Sequence, residues 1–75
     1  MNKQQKTMLM EITNFFDNNA ITFETSPITS ERPTVTITGF VEKKAFMQLI
    51  DYLKEITNSG KADVYYNSKI IIMIK

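Results

Sequence analysis

The chain has 75 residues, a formal net charge of +1, no cysteine and no histidine. A domain of this size buries only about 60% of the surface that its unfolded chain exposes, so core packing or pairing with another subunit must stabilise it. The missing residue types exclude disulfides, metal sites built on thiolates or imidazoles, and Ser-His-Asp or Cys-His catalysis within one chain. We predict one folded domain over residues 1–75.

The N-terminal segment from Lys3 to Asn18 predicts an amphipathic helix. Its apolar residues recur at the spacing of one helix face, and they are Met8, Leu9, Ile12, Phe15 and Phe16. The pair Asn18-Asn19 predicts the end of this helix, since asparagine tolerates the left-handed conformation that often closes a helix.

Two strands and a long loop follow the first helix. Apolar and polar residues alternate from Ala20 to Thr25 and again from Thr34 to Thr38, as expected of half-buried strands. The segment between them, residues 26–33, contains both prolines of the chain and predicts the loop of a hairpin. Because hairpin loops usually have roughly two to five residues, this one is either tolerated slack or a contact element. Slack is the simpler interpretation, and Glu31 and Arg32 are the contact candidates.

Gly39 separates the second strand from a second helix that ends near Asn58. This glycine predicts either a bend or a helix N-cap, with Glu42 three residues later in a position that resembles a capping box. The helix carries an apolar stripe made of Ala45, Phe46, Leu49, Ile50, Leu53 and Ile56. Gly60 follows the helix and is available for the left-handed conformation of its C-terminal cap.

The C-terminal segment predicts a second hairpin. Residues alternate in polarity from Lys61 to Tyr66, and Asn67-Ser68 predicts a tight turn. The run from Ile70 to Ile74 is apolar on both faces, which is typical of a strand in the middle of a sheet or beneath a partner.

The predicted order of elements is αββαββ. If each ββ pair is an antiparallel hairpin and the second helix is a right-handed crossover, the fourth strand fits between the second and the third. We therefore predict an α+β two-layer sandwich, with an antiparallel four-stranded sheet of order 1-2-4-3 and both helices on one face.

This arrangement resembles a circular permutation of the ferredoxin-like fold. The segment Val35-Thr-Ile-Thr-Gly39, followed by an amphipathic helix, is similar in pattern to BON domains and to periplasmic domains of type IV pilus and type II secretion assembly proteins. The pilus and secretion proteins carry a membrane helix, whereas the longest apolar run here, Ile70 to Ile74, is far shorter than the ~20 residues of a span. We therefore do not infer the function of those proteins for this chain. The N-terminus also lacks the apolar core of a signal peptide, which predicts a cytoplasmic location.

The sheet face turned away from the helices is the predicted contact surface. Strand alternation places on it more apolar side chains than a solvent-facing sheet needs. The candidate interface residues are Thr36, Thr38, Phe40, Tyr65, Ile71 and Met73, with Phe40 at the margin. We expect a homodimer or a different protein partner to cover them, which also supplies burial for a small domain. The alternative is a register shifted by one residue, or helix ends that cover the patch.

Single-stranded nucleic-acid binding is the alternative function. Tyr65 and Phe40 could stack on bases, while Lys61, Lys69 and Lys75 could meet phosphates. Two acidic residues predicted on the same face and the weak net charge of +1 oppose this interpretation.

The residues predict no enzyme. Carboxylates are scattered over predicted solvated faces, and the two glycines cannot form a phosphate-cradling loop. We predict no catalytic residue, no metal, no cofactor, no small-molecule substrate and no membrane partner. The small size and a composition rich in isoleucine, lysine and asparagine further suggest an accessory protein of a phage or mobile element that binds and occludes a host protein.

Overall fold

The structure, a computed structural model, describes residues 1–27 and 31–75, and these residues form two helices and a four-stranded sheet. The elements are α1 (Lys3–Asn18), β1 (Phe23–Thr25), β2 (Thr34–Ile37), α2 (Lys43–Asn58), β3 (Ala62–Tyr66) and β4 (Ile70–Ile74). The predicted α+β class and the order αββαββ are confirmed. The first strand is shorter than predicted, and residues 28–30 of the predicted loop lie outside the described part of the chain.

The sheet is antiparallel and has the order β1-β2-β4-β3, as predicted. Val35 in β2 and Val64 in β3 both lie opposite Ile72 of β4. Because α2 carries the chain from β2 across to β3, it leaves the central position for β4.

Both helices pack on one face of the sheet and build the hydrophobic core with it. The core residues are Met8, Ile12, Phe16, Ile21, Val35, Ile37, Leu49, Leu53, Ile56, Ala62, Ile72 and Ile74. Burial alternates along β4, where Ile72 and Ile74 are 0% and 1% exposed while Ile71 and Met73 are only partly buried. The strand that is apolar on both faces therefore uses one face for the core.

An aromatic pair joins α1 to α2. The rings of Phe15 and Tyr52 stack with centroids 4.2 Å apart and 13° between their planes. Burial, helped by the negative charges of Glu11 and Glu55, raises the pKa of Tyr52 to about 12. The phenol is therefore neutral in the folded protein at physiological pH.

Local hydrogen bonds close both ends of α1. Asn2 Oδ1 accepts from Gln5 N at 2.8 Å and Gln5 Oε1 accepts from Asn2 N at 2.9 Å, which makes a capping box. At the other end Asn19 Nδ2 donates to Phe15 O at 2.8 Å. The helix ends where predicted, but the left-handed residue is Ala20, with φ of 56°. The prediction that an asparagine takes this conformation is wrong, because Asn19 caps the last turn with its side chain instead.

Gly39 and Gly60 both have left-handed backbones, with φ of +74° and +75°. Gly60 follows α2 as predicted. Gly39 forms a bend, and its predicted alternative role as N-cap is wrong, because the N-cap is Glu42 and its side chain makes no capping hydrogen bond. A Cβ added at Gly39 would lie 2.9 Å from Thr22 Oγ1, whereas at Gly60 no described atom would lie within 4 Å.

These two glycines form a matched pair for a stability test. We expect Gly60→Ala to lower the free energy of unfolding by about 1–2 kcal/mol, the cost of placing an L-residue in the left-handed region. Gly39→Ala has the same cost and adds the steric conflict with Thr22, so we expect a loss of about 2–4 kcal/mol. Urea denaturation followed by circular dichroism measures both. Equal losses would contradict the claim that Thr22 restricts this bend.

Candidate functional site: the open face of the sheet

Side chains of all four strands meet on the sheet face opposite the helices. One cross-strand row runs from Glu24 through Thr36 and Ile71 to Tyr65. The next row is Thr34, Met73 and Asp63, and we call the two rows together the open face. Directly opposed residues in antiparallel strands point to the same side of a sheet, so these side chains are neighbours.

The open face is uncovered by the helices, which pack on the other side. Tyr65 is 45% exposed, and Ile71 and Met73 are partly exposed, whereas Ile72 between them is 0% exposed. A register shifted by one residue would have reversed this pattern. The predicted alternation along β4 is therefore confirmed, and Tyr65, Ile71 and Met73 form an apolar group that the core does not use.

An ion-pair cluster lies at one margin of the open face. Asp63 Oδ2 accepts from Arg32 Nη2 at 3.2 Å, and its Oδ1 lies 3.4 Å from Lys75 Nζ. Partial desolvation raises the pKa of Asp63, but hydrogen bonds and positive charge from Arg32 and Lys75 lower it by more, so the net shift is downward. The cluster places Arg32 beside β3, although exposed ion pairs of this kind contribute little to stability.

The second loop candidate is held in a different way. Glu31 is exposed, and its carbonyl oxygen accepts a hydrogen bond from Gln5 Nε2 at 3.0 Å. Gln5 is itself buried within the capping box of α1. The described end of the loop is therefore attached to α1 through Glu31 and to β3 through Arg32, which favours an ordered element over tolerated slack here.

Thr38 and Phe40 continue beyond the end of β2. Thr38 lies two residues after Thr36 and so on the same side of the extended chain, and its N–H donates to the Thr22 carbonyl at 3.0 Å. Phe40 follows the bend, is 85% exposed, and lines a groove of about 470 Å³ with Phe46 and other residues at the end of the sheet. The structure thus brings Thr36, Thr38, Tyr65, Ile71 and Met73 together and places Phe40 outside the two rows.

The candidate nucleic-acid residues are more dispersed. Tyr65 offers one exposed ring on the open face, while Phe40 lies beyond its end. Lys75 is paired with Asp63, and Lys61 and Lys69 lie at opposite ends of β3. These positions give no continuous path of free positive charge along the face.

Two further features bear on what the surface can bind. Within residues 1–27 and 31–75, no group of three or more His, Cys, Asp or Glu side chains is placed to hold a metal ion. A search of the helices in the same residues finds none with the length and hydropathy needed to cross a membrane.

Comparison with known proteins adds no assignment. The chain matches no protein-family model, and no curated protein matches its sequence.

The ion-pair cluster predicts a pH dependence. The Asp63 carboxyl should titrate below its ordinary pKa in the folded protein, so its contribution to stability is present above the unfolded pKa of about 3.9 and is lost as pH falls through the folded pKa. Side-chain carbonyl NMR during an acid titration measures this pKa directly.

Arg32→Gln is the matched variant, because it removes one partner and keeps a side chain of similar length. We expect the pKa of Asp63 to rise in this variant, because the carboxylate loses one of its two positively charged partners. An unchanged pKa of Asp63 in Arg32→Gln would contradict the cluster.

Proposed function

We propose that the protein is a non-enzymatic interaction module whose open face binds another protein and occludes part of that protein's surface. The observation that supports this most directly is the apolar group Tyr65, Ile71 and Met73, which stays accessible although the core is already complete on the other face. Fully burying a side chain of this size contributes about 1.5–3 kcal/mol, so a partner that covers the group gains affinity from it.

The composition of the face indicates a reversible contact. Its apolar centre is bordered by Thr34, Thr36 and Glu24 on one side and by the Arg32–Asp63–Lys75 cluster on the other. An apolar centre within a polar rim is typical of interfaces between proteins that also exist apart, whereas obligate dimer interfaces are more apolar. We therefore favour a different protein over a second copy as the occupant of this face.

Single-stranded nucleic acid is the second candidate, and the exposed ring of Tyr65 on a sheet is the observation in its favour. The carboxylates of Glu24 and Asp63 on the same face and the pairing of Lys75 weaken it. The proposal also includes a cytoplasmic location and a relation to permuted ferredoxin-like folds. It further includes the role of an accessory protein of a phage or mobile element.

Two methionines allow a matched test of the open face. Met73 lies in its second row, and Met47 is 65% exposed on α2, away from it. We expect Met73→Glu to reduce capture of a partner from host cells by more than about tenfold, because it places a charge in an apolar contact. Met47→Glu should capture the same protein as the wild type, with circular dichroism confirming that both variants fold.

Equal capture by Met73→Glu and Met47→Glu would contradict the proposal. A labelled single-stranded oligonucleotide, titrated at two salt concentrations into the wild type and Tyr65→Ala, tests the second candidate. Salt-dependent binding that Tyr65→Ala abolishes would replace the protein partner with nucleic acid.

A further inference from the structure

β3 forms one edge of the sheet and leaves a row of backbone groups without partners. Lys75 N donates to Lys61 O at 3.1 Å, so residue 61 points its backbone groups toward β4. Hydrogen-bonding direction alternates along a strand, and hence Ala62, Val64 and Tyr66 point theirs outward. None of the described residues forms a hydrogen bond with these outward backbone groups.

The two edges of the sheet differ in how well they are protected. β1 has three residues, includes Glu24 and is followed closely by Pro27, and short charged edges next to proline resist pairing. β3 has five residues in unbroken register with β4 and contains no proline, lysine or bulge, and the charge of Asp63, its one acidic residue, is paired with Arg32 and Lys75. Unprotected edges of this kind are templates for another strand.

We propose that β3 pairs with β3 of a second copy of the chain in antiparallel orientation, with Val64 opposite Val64 of the second copy. In this register Ala62 lies opposite Tyr66 of the second copy, and each outward residue both donates and accepts one backbone hydrogen bond. The two four-stranded sheets become one continuous sheet of eight strands. This homodimer does not depend on the function proposed for the open face.

The charge of Asp63 and the length of β3 favour this register over the two neighbouring ones. Asp63 lies opposite Tyr65 of the second copy, and the phenol can donate a hydrogen bond to the carboxylate across the non-hydrogen-bonded pair. A register centred on Asp63 would place two carboxylates directly opposite each other, which is unfavourable. A register centred on Tyr65 would leave Ala62 and Asp63 without a strand residue opposite them.

The edge dimer leaves the open face accessible. Strand pairing extends the sheet sideways, in the plane of the hydrogen bonds, while Ile71 and Met73 project perpendicular to that plane. The second copy therefore presents its own open face on the same side, next to the first. The homodimer expected from the sequence is assigned here to the edge, and the different protein partner keeps the face.

Sedimentation equilibrium at high micromolar concentration tests the dimer. We expect the wild type to sediment at twice 8.7 kDa. Val64→Pro removes an outward N–H and should sediment at 8.7 kDa. Ser26 N donates to Thr34 O, so the neighbouring residue Thr25 points its N–H outward at the β1 edge. Thr25→Pro removes this N–H and Met73→Glu alters the open face, so both variants should remain dimeric.

Amide exchange in the wild type decides the case even if Val64→Pro fails to fold. On raising the protein concentration into the dimeric range, the amides of Val64 and Tyr66 should exchange at least about tenfold more slowly. The outward amides of Phe23 and Thr25, on the β1 edge, should not change. A wild-type monomer, unchanged exchange at Val64, or a dimer that Met73→Glu dissociates and Val64→Pro does not would overturn the proposal.

Discussion

The structure depends on the central position of β4. Its residues Ile72 and Ile74 are buried in the core that the sheet forms with the helices, while Ile71 and Met73 point to the opposite side. A strand that is apolar on both faces is costly at the edge of a small sheet, because one edge and one face would both meet water. Placing it between β2 and β3 pairs its backbone on both sides and leaves only one apolar face unburied. The core, the strand order and the open face follow from this one placement.

Much of this fold was predictable from the sequence, because the apolar pattern of each helix and strand is consistent with only a few positions in the fold. The stripe of α1, the alternation around Val35 and the two-sided run in β4 each allow few arrangements, and right-handed crossover leaves order 1-2-4-3. The predictions that were wrong concern local details that single side chains determine. At the end of α1 the left-handed residue is Ala20 rather than an asparagine, because the Asn19 amide caps the helix by donating to the Phe15 carbonyl, which apolar periodicity does not predict.

The candidate site also contains some residues whose positions could be predicted from the sequence and some whose positions could not. Tyr65, Ile71 and Met73 could be placed on one face from alternation, since period two is strict in a strand. Arg32 could be proposed only as a loop contact, because its pairing with Asp63 joins residues 31 positions apart and no local pattern encodes such a distance. Phe40 was expected at the margin of the face, but the positive φ of Gly39 turns the chain and takes this ring beyond the end of the sheet.

β4 contributes one face to the core and leaves the other face, with Ile71, available to the proposed partner. Urea denaturation of Ile71→Ala and Ile72→Ala tests this claim most directly, because the two positions are adjacent and undergo the same chemical change. We predict that Ile72→Ala lowers the free energy of unfolding by about 2–5 kcal/mol, as for a buried side chain, and Ile71→Ala by about 1 kcal/mol or less. Equal losses at the two positions would contradict the claim, because they would show that the face carrying Ile71 is also part of the folded core.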